Sequence, residues 1–201
     1  MLTCLHCYCS STISSPCAML ESQSTISLKL LERKDATAFF KLISDNREQL
    51  KYWVPWVAQS YKLTDIKYYI EEAHHKYNQG KAMHMAIWHE GTIVGNINLN
   101  PIDPDHKKAS IGYWLDQSAQ GQGIMLEACR QLMAYAFEKL FLNRLEIVCD
   151  AENMRSRAIP EKLGFVQEGR LRDYLMAHQK SIDVIVYALL KKEWPSERKI
   201  V

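Results

Sequence analysis

Six residues near the middle of the chain, Gln120-Gly121-Gln122-Gly123-Ile124-Met125, have the make-up of an anion cradle. Two glycines let a backbone turn with its amide N–H groups outward and no Cβ in the way. The next stretch of chain has helical spacing: Met125, Cys129, Leu132, Met133, Ala136, Phe137 and Leu140 fall three and four apart and share one face. The unpaired donors of that helix's first turn, with the positive end of its dipole, would add to the loop's own amides. A phosphate or pyrophosphate is the ligand such a loop suits.

These residues alone leave a second reading open, a tight loop before an ordinary helix. Two other phosphate motifs do not fit. A Walker loop ends in Gly-Lys-Ser/Thr, which does not follow Gly123. A dinucleotide fingerprint needs a third glycine where Leu126 stands, although Glu146 lies at about the distance expected of its acidic residue. A further chemical clue is Pro160, in a short helix expected over residues 153–163 with Asn153 as N-cap and Gly164 closing it. Proline has no N–H to give the carbonyl four residues back, so the backbone at Ser156 is left open or kinked.

The elements that must position these residues can be read in order. Alternating Ile26, Leu28 and Leu30 make a half-buried strand. A helix comes next, with Asp35 as its cap and Phe39, Leu42 and Ile43 on one side, expected to run to about Leu50. Trp53, Pro55 and Trp56 form an aromatic turn, and a second helix spans 64–78. Strands are expected over 83–88 and 92–100, joined at Glu90-Gly91, and over 109–115 after a turn bounded by Pro101 and Pro104. Beyond the glycine loop and its helix come strands at 144–149, 166–174 and 181–190. The order β-α-α-β-β-β-α-β-α-β-β implies an α/β (α+β) mixed sheet with helices on both faces, and ligands bind at the carboxyl ends of strands in such sheets.

At 201 residues the chain is long enough for one sizeable domain, and a net charge of +2 argues for neither nucleic acid nor an anionic membrane. No apolar run approaches the ~20 residues that span a bilayer. Four of six cysteines, Cys4, Cys7, Cys9 and Cys17, crowd residues 1–25, which are rich in Ser and Thr and read as a disordered leader. Met19 stands just before the first patterned segment and is read as a candidate start of translation. Cys4-Leu5-His6-Cys7 has metal-like spacing but no second ligand pair, so no metal is expected. Cys129 and Cys149 read as small core residues, and the setting as reducing and cytoplasmic. The domain is set at residues 26–194, with 195–201 a charged tail.

Four stretches, in this order and spacing, give the chain a resemblance to the GCN5-related N-acetyltransferases (GNAT), in the branch of ribosomal-protein-serine and ribosomal-protein-alanine N-acetyltransferases. They are Asn46-Arg47-Glu48 with Trp53-Val54-Pro55-Trp56; Ile111-Gly112-Tyr113-Trp114-Leu115; the glycine loop; and Glu152-Asn153 with Ser156 through Gly164-Phe165. The resemblance covers residues 26–194. It implies a mostly antiparallel sheet of about seven strands with one splayed strand pair, and acetyl-CoA as the acetyl donor. The family's Gln/Arg-x-x-Gly-x-Gly/Ala signature is met at Gln120 and Gly123, and imperfectly at Met125, which is larger than the usual residue and is expected to tighten the last turn of the cradle.

By resemblance, the amides of Gly121, Gln122, Gly123, Ile124, Met125 and Leu126 hold the pyrophosphate. Backbone at Tyr113, Trp114 and Leu115 pairs with the pantetheine arm, and Asn153 and Ser156 approach it, Ser156 as proton donor to the leaving thiolate. Related enzymes carry a glutamate base after the last helix; here the segment reads Arg172-Asp173-Tyr174-Leu175-Met176, so Asp173, Tyr174 and His178 are substitutes to consider. Trp53, Trp56 and Tyr174 are the expected acceptor contacts, with the tryptophans equally readable as anchors of their turn. The implied acceptor is a protein N-terminus or, alternatively, a small amine; a catalytically silent CoA-binding module is the rival of another class. A homodimer is left open.

Overall fold

The computed structural model describes residues 25–51, 57, 62–177 and 180–194. Trp53, Trp56, His178, the leader up to residue 24 and the tail lie outside the described residues. The elements are β1 (Ile26–Leu30), a 3-10 turn (Arg33–Asp35), α1 (Ala36–Asp45), α2 (Arg47–Leu50) and α3 (Leu63–Asn78). Then come β2 (Met83–His89), β3 (Thr92–Asp103), β4 (Lys108–Leu115), α4 (Ile124–Glu138), β5 (Arg144–Asp150), α5 (Met154–Leu163), β6 (Val166–Ala177) and β7 (Lys180–Leu190).

The strands form one seven-stranded sheet in the order β1-β2-β3-β4-β5-β7-β6, with every pair antiparallel except β4 and β5. Side-chain alternation splits the core into two layers. On one face Met85, Ile97, Leu99 and Ile111 pack against Cys129, Leu132, Met133 and Phe137 of α4. On the other, Ala86 and Ile93 meet Phe39, Ile43, Ile66 and Ile70 from α1 and α3. The helical face expected of α4 is buried from Met125 to Phe137, Leu140 lies past the helix end and is half-buried, and Cys129 and Cys149 are buried free thiols.

Three local departures from expectation have physical causes. The first helix stops at Asp45 because the buried carboxamide of Asn46 is needed twice: Nδ2 donates to the Leu42 carbonyl at 2.9 Å and Oδ1 accepts from the Gln117 amide at 3.0 Å. Asn46 thereby ties α1 to the turn that precedes the glycine loop. Asp35 does not cap α1; its carboxylate turns back to accept from the Glu32 amide at 2.9 Å and closes the 3-10 turn. Strand β3 continues past Asn100, its register slipping between Leu99 and Ile102 where Pro101 has no N–H for the ladder.

Candidate active site

The sheet's one parallel contact sets up the site. Strands β4 and β5 pair only over Lys108, Ala109 and Ser110 against Arg144, Leu145 and Glu146. Beyond that, β4 stays with β3 as far as Leu115 and β5 with β7 as far as Asp150, so the two part into a fork. The β5-facing edge of β4 from Ile111 onward therefore has no strand beside it. A cavity of about 1340 Å³ fills the fork, lined by both strand edges, the glycine loop and α5.

The glycine loop stands at one end of this cavity. Gly121 and Gly123 have φ of 78° and 79°, the left-handed region where an L side chain is strained. A Cβ on either would meet nothing within 4 Å, so the space above the loop is open. The loop's own side chains are tied back: Gln122 Nε2 donates to the Ser118 carbonyl at 3.0 Å and Gln120 Nε2 to the Leu115 carbonyl at 3.2 Å. Gly123 occupies the N-cap of α4, and no side chain caps the helix there. Donors of its first turn are thus left to the cavity. Ile124 and Met125 bury their side chains in the core and also border the cavity.

Tyr113, Ser156 and Cys149 meet where the fork opens. Asn153 is the N-cap of α5, its Oδ1 accepting from the Ser156 amide at 3.0 Å. That bond fixes the first turn and with it the Ser156 side chain. Ser156 Oγ lies 3.2 Å from Cys149 Sγ and 3.5 Å from Tyr113 Oη. The Tyr113 hydroxyl donates to the Ser156 carbonyl at 2.9 Å, which is the carbonyl that Pro160 cannot serve. Burial pushes the Cys149 thiol up, partly offset by the contact with Ser156, so it stays protonated near neutrality. Burial likewise pushes the Tyr113 phenol far up. A neutral hydroxyl, held between two groups that keep their protons, is suited to hand a proton to a leaving anion.

Trp114 turns its ring to the other layer, 5.8 Å from the Phe39 ring, and Leu115 is buried. Both residues also border the cavity. Tyr174 lies on β6, 54% exposed and not on the cavity wall, and Asp173 beside it is spent on a bulge, its amide donating to Asp183 Oδ1 at 2.9 Å. The structure does not bring either to the fork.

Two sets of residues on the cavity wall escape a reading of the sequence. Arg155 and Lys162 are exposed at the mouth of the cavity, seven apart on α5, a two-turn spacing that is the available signal. At the opposite end Tyr69, His84, Asn96 and Asn98 form a neutral polar wall. Asn96, Asn98 and Asn100 alternate along one face of β3, a period that could have found them. Among the described residues no group of His, Cys, Asp and Glu could hold a metal ion, and no helix is long and apolar enough to cross a membrane.

A fork between two strands, bare amides at a glycine loop and a helix aimed at the same cleft define a class. Residues 26–166 match the acetyltransferase (GNAT) domain, and the chain belongs to that family, as an acetyl-CoA-dependent N-acetyltransferase. It is similar to the putative ribosomal N-acetyltransferase YdaF of Bacillus subtilis (strain 168), 37% identical over 178 residues that span 86% of this chain and 95% of YdaF. RimL, a ribosomal L7/L12 alpha-N-protein acetyltransferase solved in complex with coenzyme A, superposes with a TM-score of 0.84 at 25% identity, covering 87% of this chain and 99% of that chain. The microcin C7 self immunity acetyltransferase MccE, in complex with acetyl-CoA and AMP, gives 0.79 at 28% identity over 82% of this chain and 92% of its own.

Proposed function

We propose that this chain acetylates the α-amino group at a protein N-terminus, of the kind a ribosomal protein presents. The observation that carries this is one cavity joining the glycine loop, the free edge of β4, Ser156 and an uncharged polar wall. The likeness to RimL, a ribosomal L7/L12 alpha-N-protein acetyltransferase, supports the choice of acceptor.

Acetyl-CoA supplies an activated acyl carbon: its C–S bond breaks, a C–N bond forms to the amine, and the nitrogen's proton ends on the sulfur. The chain's part is to hold and to position. Amides of Gly121, Gln122, Gly123, Ile124, Met125 and Leu126 take the diphosphate, with Gln120 bracing the loop and Arg155 and Lys162 adding charge at the mouth. The free edge at Tyr113, Trp114 and Leu115 offers backbone groups to the pantetheine amides, and one N–H there serves as oxyanion donor, a role worth about 3–4 kcal/mol. Asn153 orients Ser156, whose hydroxyl passes its proton to the departing sulfur and is restored by the proton the nitrogen loses. An α-amine with a pKa of about 7.7–8.0 is partly neutral near pH 7, so positioning does most of what remains.

Release of free CoA thiol with peptides beginning in Ser or Ala is the expected result, at rates well above those with spermidine. Turnover of spermidine without turnover of any peptide would overturn the choice of acceptor.

A further inference from the structure

The end of the cavity away from the glycine loop has a composition of its own. His84 on β2, Asn98 on β3 and Gly112 on β4 stand abreast, each the register partner of the next. Gly112 lies two residues beyond the last β4–β5 pair, Ser110 with Glu146, so the row abuts the fork. The Asn98 carboxamide rests over Gly112, where a Cβ would come within 3.0 Å of Oδ1 and 3.2 Å of Nδ2. Among the described residues that carboxamide has no hydrogen-bond partner.

His84 is held more tightly. Its Nδ1 lies 2.9 Å from Tyr69 Oη, and the two rings meet edge to face at 5.5 Å. Burial pushes the Tyr69 phenol far up, so it keeps its proton and donates it to Nδ1. The network therefore assigns the imidazole proton to Nε2. Burial, and secondarily the charge of Lys76, depress the imidazole to about 4, so the ring is neutral at pH 7. The two carboxylates on the cavity wall, Asp150 and Glu152, belong to the β5–α5 side.

We infer that Asn98 and His84 are the dock for the acceptor's terminus: Asn98 Oδ1 accepts an N–H of the amine and His84 Nε2–H donates to the first carbonyl of the same chain. This rests on the acceptor reading above and gives it a physical reason. A carboxylate at this place would hold the amine as ammonium, whose lone pair is engaged and cannot attack. A carboxamide holds the free base and leaves the lone pair toward the fork. A polyamine has no carbonyl for His84 and carries charge that this wall does not neutralise, so it is a poor fit. The dock also explains how the reaction proceeds without the glutamate missing from residues 172–176: binding selects an amine that has already lost its proton to solvent.

Asn98→Asp tests this, since it changes charge but not shape. With whichever amine the wild type acetylates fastest, the variant's kcat profile should shift to higher pH by about one unit or more, and kcat at pH 7 should fall about tenfold. Titration calorimetry should show CoA affinity unchanged within about threefold. Asn98→Ala, which carries no charge, should raise KM about tenfold with an unmoved profile. A folded Asn98→Asp protein with an unmoved kcat profile overturns the proposal, and so does Asn98→Ala with an unchanged KM should Asn98→Asp fail to fold. A wild type that prefers spermidine overturns the acceptor reading instead, and the Asn98 variants then judge the dock with that amine.

Discussion

The Tyr113 hydroxyl donates a 2.9 Å hydrogen bond to the carbonyl of Ser156, bridging β4 to α5 across the mouth of the fork. The bond exists because Pro160, four residues after Ser156, has no N–H to offer. A defect in the helix thus becomes an anchor that fixes the helix to one wall of the cleft. Tyr113→Phe should remove the anchor and leave a part-buried carbonyl unpaired, at a cost of about 1–3 kcal/mol in urea unfolding. Turnover should fall further than CoA affinity does. A variant as stable as the wild type would show that the contact carries no load.

Ser156 is placed by Asn153 and flanked by a thiol that keeps its proton. Ser156→Ala should slow thiol release about a hundredfold while CoA affinity stays within about threefold. Undiminished turnover would remove its role as proton donor.

Gly123 combines a left-handed backbone with open space above it. Gly123→Val should cost about 1–2 kcal/mol of backbone strain and place a branched side chain among the amides. Calorimetry should find CoA affinity down at least tenfold, beyond what the strain alone would cause. Normal affinity in this variant would mean that the loop is not the cradle.

His84 gives a pH signature to stability. Its folded pKa is depressed to about 4 from 6.5, mainly by burial. Below about pH 6.5 the unfolded chain takes up a proton that the folded chain refuses, so stability present above that pH is lost as pH falls toward 4, by up to about 3 kcal/mol. Depressed carboxylates, among them Glu168 beside Arg144 and Asp183 beside the Asp173 amide and Arg170, act lower, below about pH 4.5. His84→Phe should flatten unfolding free energy between pH 6.5 and 4.5. An unaltered slope in that range would place the loss elsewhere.

Much of the fold is legible in residue order because the signals are periodic and local. The face of α4, buried from Met125 to Phe137, comes from three-and-four spacing, and the β hairpin from Glu90-Gly91. The open carbonyl at Ser156 comes from proline's covalent chemistry, although not the identity of its new partner, which lies on a strand 43 residues away. The features hidden from such a reading depend on distant pairings. Asn46 stands in a stretch that carries the resemblance, but its bond to the Gln117 amide, 71 residues on, is not legible there. His84, Asn98 and Gly112 become one row only through the register of three strands. Tyr174 is expected at the acceptor site by its place in the chain, and a bulge between Leu171 and Leu175 turns that segment to the exposed edge of the sheet.

The proposed place of acetyl transfer is the fork between β4 and β5, with the glycine loop as its anchor. A crystal structure of the chain with coenzyme A tests it most directly. Diphosphate oxygens should lie within about 3.2 Å of main-chain nitrogens in residues 121–126, with the sulfur between Gly112 and Ser156. A diphosphate bound away from that loop, or a sulfur outside the fork, would contradict it.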